Sequence, residues 1–198
     1  MSRFKIIKTP IPELLILEPQ EPISADQPLT AEEIFPTAEE LVELGIEEEF
    51  NFESENTYAR GVLTGLHFQP KFRQAKLVTI LEGGVLDVAV DLRDNKTNGA
   101  AHAISLWAGD GRVFYIPECF AHGFVTLEKD TKVAIRYSYE HNPKEELGII
   151  WDDQTLAIDW QFDRYDIDQK YLRISDRDKK NQYYRRFNSK LLWSKKKR

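Results

Sequence analysis

Apolar and polar residues alternate in steps of two through much of this chain. Leu86, Val88, Val90 and Leu92 share one side of a run whose other side carries Val85, Asp87, Ala89 and Asp91, the pattern of a half-buried strand. The same reading predicts strands over 76–81, 112–116, 124–127 and 132–139, and two earlier short ones at 4–8 and 14–17. Turn-forming residues separate them: Gly83-Gly84, Asp94-Asn95-Lys96-Thr97-Asn98-Gly99, Gly109-Asp110-Gly111 and Glu128-Lys129-Asp130. Many short strands with frequent turns predict an all-β sandwich or barrel.

Two regions break the pattern. Residues 24–50 are polar and acidic, and Thr30-Ala31-Glu32-Glu33 has the form of a capping box, so one or two short helices are expected in an insertion beside the barrel. From Asp166 to residue 198 the chain is charged and tyrosine-rich; short helices covering the barrel are expected there, not a second domain. A length of 198 residues then makes one domain, 1–198, the natural unit.

Composition narrows the function classes. The start, Met1 to Pro12, lacks the plan of a secretory signal, and no apolar run approaches the ~20 residues of a membrane span. The single cysteine, Cys119, forms no intrachain disulfide and points to the cytoplasm. A net charge of -6 argues against a nucleic-acid partner. Against that acidic background, the stretch from Asn56 to Leu81 holds no Asp or Glu, yet contains Arg60, Lys71, Arg73 and Lys76. His67 sits inside it, in the glycine-hinged run Gly61-Val62-Leu63-Thr64-Gly65-Leu66-His67-Phe68-Gln69. A basic window around a strand histidine suggests an anionic ligand beside a general base. The bland alternative is a core histidine beside a solvated basic edge.

That run, followed by Gln74–Val78, Val85–Arg93, Ile116–Phe124, Pro143–Trp160 and Ile174–Asp178, resembles in order and spacing the dTDP-4-dehydrorhamnose 3,5-epimerases. These are metal-independent cupins of deoxysugar biosynthesis that act on a nucleotide-linked 4-keto-6-deoxyhexose on the way to rhamnose. The resemblance implies a cupin-type jelly roll with no cofactor. It implies a homodimer in which an N-terminal strand extends the partner's sheet. It places His67 as the base, Asp178 as the carboxylate that orients it, and Lys76 as the cation facing the enolate. It also places Gln74, His122 and Glu146 near the ligand; Gln69, within the matching run, and Arg60, from the basic window, are further expected contacts. A cupin metal site needs two histidines one residue apart; Phe68 and Gln69 follow His67, so no metal is expected.

The chain departs from the family at functional positions. Thr64 stands where the family has an arginine, residues 24–29 lack the diphosphate-binding arginine, and Phe52 and Ser54 replace nucleotide-contacting amides. Arginine is the preferred bidentate partner of phosphate. Ile135 occupies the position of the acid tyrosine; Tyr137, two residues on and on the same strand face, is the expected substitute. Cys119 replaces a glycine. The primary expectation is a sugar-nucleotide epimerase. The alternatives are a cupin acting on another anionic keto sugar and a non-catalytic sugar-phosphate binder.

Overall fold

The computed structural model describes residues 2–21 and 29–187. Two sheets face one another. The first runs, edge to edge, β1 (Phe4–Lys8), β2 (Leu15–Pro19), β8 (Val113–Ile116), β5 (Lys76–Glu82), β10 (Thr131–Tyr137) and β3 (Phe52–Tyr58). The second runs β11 (Leu147–Gly148), β4 (Val62–Phe68), β9 (Phe120–Thr126), β6 (Gly84–Asp91) and β7 (Ala101–Trp107), with β12 (Arg173–Ile174) added parallel to β4. The other strand pairs are antiparallel. This is the jelly-roll sandwich of the cupin fold, as the alternation and the resemblance predict.

The central strands of each sheet are covered on both faces, which corrects one expectation. Strand β6 is buried at all eight positions, not half-buried. Val85 and Ala89 join Val78, Phe114, Phe124 and Ile135 in the core between the sheets. Leu86, Val88, Val90 and Leu92 instead face outward, under a layer built from Ile149, Leu156, Trp160 and Phe162. The outer face of the first sheet, Leu77, Val113 and Ala134, lies under Ile34, Phe35, Leu41 and Ile46. Apolar area removed from water stabilises by about 25 cal/mol per Å², so both covering layers contribute to stability.

The acidic insertion supplies the second of those layers. Helix α1 (Ala31–Ile34) follows the expected capping box, with Thr30 and Glu33 bonding each other's backbone N–H. Helix α2 (Ala38–Glu43) repeats the device with Thr37 and Glu40. Residues 24–28 of the insertion and the basic run at 195–198 lie outside the described residues. The charged C-terminal region forms short 3-10 turns at Gln169–Tyr171, Asp178–Lys180 and Tyr184–Arg186, and its Ile167, Ile174 and Phe187 pack over the second sheet.

Two strands lie outside the runs predicted from alternation. β3 reads Phe-Glu-Ser-Glu-Asn-Thr-Tyr and is mostly exposed, because it is an edge strand with solvent on one face and a polar cavity on the other. β7 is the edge of the second sheet and is likewise only partly buried.

Candidate active site

Strand β4 changes phase in its middle. Leu63 pairs with Val125 and Thr64 with Phe124, but the next aligned pair is His67 with His122. Gly65 and Leu66 therefore oppose Gly123 alone, a β-bulge of one extra residue. Strict alternation would put His67 on the face of Leu63. The bulge instead puts His67 beside Thr64 on the cavity side, while Leu63, Leu66 and Phe68 all enter the outer apolar layer. Glycine is required at the turn of phase. Gly65 has φ +100°, and a Cβ there would stand 2.6 Å from the His122 carbonyl oxygen and 2.7 Å from the Gly123 Cα.

The bulge frees the Gly65 N–H from the strand ladder, and Asp178 takes it. One carboxylate oxygen accepts from that N–H at 3.2 Å; the other lies 2.6 Å from His67 Nε2. Asp178 opens a 3-10 turn and its own backbone N–H donates to the Ser175 hydroxyl. Burial pushes the Asp178 carboxyl up, but the hydrogen bonds from His67, Gly65 and the Ser175 side chain outweigh it and hold the group below the ordinary carboxylate range. An ionised carboxylate accepts and does not donate, so Nε2 carries the proton and Nδ1 keeps the lone pair.

The opposite sheet provides the facing wall of a cavity of about 470 Å³. Lys76 and Tyr137 are paired across β5 and β10, and the Lys76 ammonium lies 6.0 Å from the centre of the Tyr137 ring. Lys76 is only 8% exposed. Burial lowers its pKa, with Glu146 and Asp87 opposing. Ile135 lines the same wall, and Tyr137 stands two residues on with its hydroxyl 3.0 Å from the Ser54 hydroxyl. Burial raises the Tyr137 pKa, so it stays a neutral phenol at neutral pH.

Not every expected residue reaches this cavity. His67, Lys76, Gln74, His122, Tyr137 and Glu146 line it, and Asp178 backs His67. Arg60 is a correction: its guanidinium donates to the backbone carbonyls of Leu127, Tyr165 and Asp166, bracing the C-terminal layer. Gln69 is another, since its amide donates to the Phe72 and Glu140 carbonyls and accepts from the Asn142 N–H. Lys71 pairs with Glu145 at 3.0 Å. The basic window therefore contributes Lys76 alone to the cavity lining, together with His67. Cys119 adopts φ +70°, the left-handed region that explains the family's glycine, and burial pushes its thiol pKa up to about 12.

The sequence reading expected His122 near the ligand but gave it no partner. His122 Nε2 lies 2.8 and 3.0 Å from the two oxygens of fully buried Asp87. Burial lowers the His122 pKa, against the pull of Asp87 and with Lys76 and His67 adding to the shift. The signal was Asp87 in the middle of a strand that is apolar on both sides of it, from Val85 to Val90, where only a buried partner makes a carboxylate tolerable. Glu146 is held by His141 Nε2 at 3.0 Å and by Arg177 at 2.7 Å. Thr64, Asn56 and Tyr58 also line the cavity.

Comparisons with known proteins identify the family to which this fold belongs. The family profile described as dTDP-4-dehydrorhamnose 3,5-epimerase matches residues 8–186. A protein of that name from Methanothermobacter thermautotrophicus is 38% identical over 180 residues, 90% of this chain and 94% of the relative. The crystal structure of a dTDP-4-dehydrorhamnose 3,5-epimerase from Elizabethkingia anophelis superposes with a TM-score of 0.80 at 32% identity, covering 94% of this chain and 99% of that one. The dTDP-6-deoxy-D-glucose-3,5-epimerase of Legionella pneumophila, solved in complex with dTDP-4-keto-L-rhamnose, gives 0.79 at 33% identity, covering 95% and 96%. With the profile spanning nearly the whole chain and these relatives matching end to end, the chain belongs to the dTDP-4-dehydrorhamnose 3,5-epimerase family of isomerases.

Proposed function

We propose that the protein inverts carbon beside the ketone of a dTDP-4-keto-6-deoxyhexose, with His67 as base, Asp178 as the group that fixes its tautomer, and Lys76 as the cation for the enolate. The carrying observation is the opposition of the two walls: a carboxylate-backed imidazole on one sheet and a buried ammonium on the other, across one cavity. His67 Nδ1 accepts the proton on the carbon next to the ketone. The C–H electron pair becomes the enolate double bond, and the charge on oxygen is held by Lys76 in a site where fixed charge acts strongly. Reprotonation from the Lys76 wall inverts the centre. Tyr137 is the hydroxyl nearest in sequence to the tyrosine that Ile135 displaces. The active unit is a homodimer in the cytoplasm, which light scattering at micromolar concentration tests.

Incubating the protein with dTDP-4-keto-6-deoxyglucose in deuterium oxide should incorporate deuterium beside the ketone and accumulate an inverted sugar, both followed by proton NMR. His67→Asn should stop both while dTDP binding persists. Bound sugar nucleotide with no exchange in the wild-type protein would overturn the reading.

One observation favours a second reading. Lys76 is the only lysine or arginine among the described residues that line the cavity, against Glu53, Glu140 and Glu146. A keto sugar without a diphosphate suits that balance; thermal-shift ranking of dTDP-sugars against simple keto-sugar phosphates separates the two.

A further inference from the structure

Inversion needs a proton donor on the face away from His67, and Ile135 cannot supply one. Strand β3 brings Phe52, Ser54, Asn56 and Tyr58 to the cavity from alternate positions. Two of the cavity's tyrosines, Tyr58 on β3 and Tyr137 on the neighbouring β10, thus belong to the sheet that carries Lys76, opposite His67. They differ in what holds their hydroxyls. Tyr137 is bonded to Ser54 at 3.0 Å. The Tyr58 hydroxyl has no hydrogen-bond partner among the described residues, and it is not sealed off as a buried unsatisfied atom. Its ring is fixed edge-on against Phe124, with centroids 5.4 Å apart, and Phe124 is the strand neighbour of cavity-lining Thr64.

We propose that Tyr58, not Tyr137, is the proton donor that completes inversion. The assignment rests on the epimerase reading above. Burial raises the Tyr58 pKa, so the phenol keeps its proton until an enolate is present to take it. The step balances: His67 Nδ1 holds the proton removed from carbon, the enolate double-bond pair forms a new C–H bond with the Tyr58 proton, and the ketone is restored. Tyr58 is left as phenolate and His67 as imidazolium, and solvent water returns the proton from one to the other. Tyr137, tied to Ser54 and lying beside Lys76, positions the ammonium and the substrate.

Tyr58→Phe and Tyr137→Phe are compared with the wild-type protein on dTDP-4-keto-6-deoxyglucose in deuterium oxide. Deuterium uptake and inversion are read from the same NMR spectra. Tyr58→Phe keeps the ring on Phe124, so its unfolding midpoint should stay within about 2 °C of wild type. Uptake should persist while inversion falls about 10²–10⁴-fold, the worth of general acid assistance. Tyr137→Phe should raise KM and leave the ratio of inversion to uptake unchanged. Inversion at the wild-type ratio in Tyr58→Phe, or its selective loss in Tyr137→Phe, overturns the assignment while leaving the epimerase reading intact. Absence of uptake in the wild-type protein is instead the failure of the epimerase reading, and the assignment falls with it.

Discussion

Replacing Asp178 by asparagine tests the dyad through rate, stability and pH together. The amide oxygen can still accept from the Gly65 N–H, but an NH₂ group then faces His67 Nε2, 2.6 Å away in the native protein. That NH₂ donates, so Nε2 must become the acceptor and Nδ1 takes the proton. The lone pair is then lost from the cavity side. An imidazole held in the wrong tautomer costs about 10⁴-fold in rate. The Asp178 side chain is 4% exposed, so solvent screens its bond to His67 little. A hydrogen bond to a charged group contributes about 1.5–3 kcal/mol, and each kcal/mol moves the melting midpoint of a chain this size by about 2–4 °C. The pH sign follows from the depressed carboxyl pKa. The stabilisation is fully present above the ordinary aspartate value of about 3.9 and disappears as pH falls through the lower folded value. The gap in melting midpoint between wild type and Asp178→Asn should therefore narrow as pH falls below about 4. Deuterium uptake within threefold of wild type, or a midpoint gap that does not narrow in acid, would refute the argument.

Three further outcomes are expected. Gly65→Ala forces a Cβ into the backbone of the neighbouring strand, 2.6 Å from the His122 carbonyl oxygen, so chemical denaturation should show a loss of more than about 3 kcal/mol or a failure to fold. Arg60→Ala removes three bonds to backbone carbonyls and none to the cavity; it should cost about 1–2 kcal/mol in thermal unfolding with KM changed less than about twofold. Cys119, with its thiol pKa pushed up to about 12, should react slowly with a disulfide reagent at pH 8 in the folded protein and fast after denaturation.

What the sequence disclosed follows from where each signal originates. The alternation of Leu86 to Leu92 with Val85 to Asp91 is a local property of one strand, and it located β6 correctly. It could not say that the outward face would also be covered, because the covering residues, Leu156, Trp160 and Phe162, come from far along the chain. Strand β3 had no apolar face to announce it. The cavity side of His67 depends on a bulge that alternation cannot express, although the glycine needed there is visible. Asp178 lies 111 residues from His67, so no local pattern links them and only the family motif did. Arg60 misled because counting cations reveals charge and not partners; three backbone carbonyls hold it.

The carboxylate shared between the β4 bulge and His67 also sets an order of assembly. Among the described residues every strand of the sandwich precedes Asp178, and all but β12 precede Trp160; the segment that delivers Asp178 is held on β4 by a two-residue strand and the packing of its turns. A ribosome that had released everything up to Trp160 could already present a folded sandwich, but its histidine would be unset. In the finished protein, local release of that segment costs less than unfolding the sandwich. Catalysis should therefore fail at lower denaturant than the sheets do, which makes turnover a gauge of how firmly the segment around Asp178 is docked.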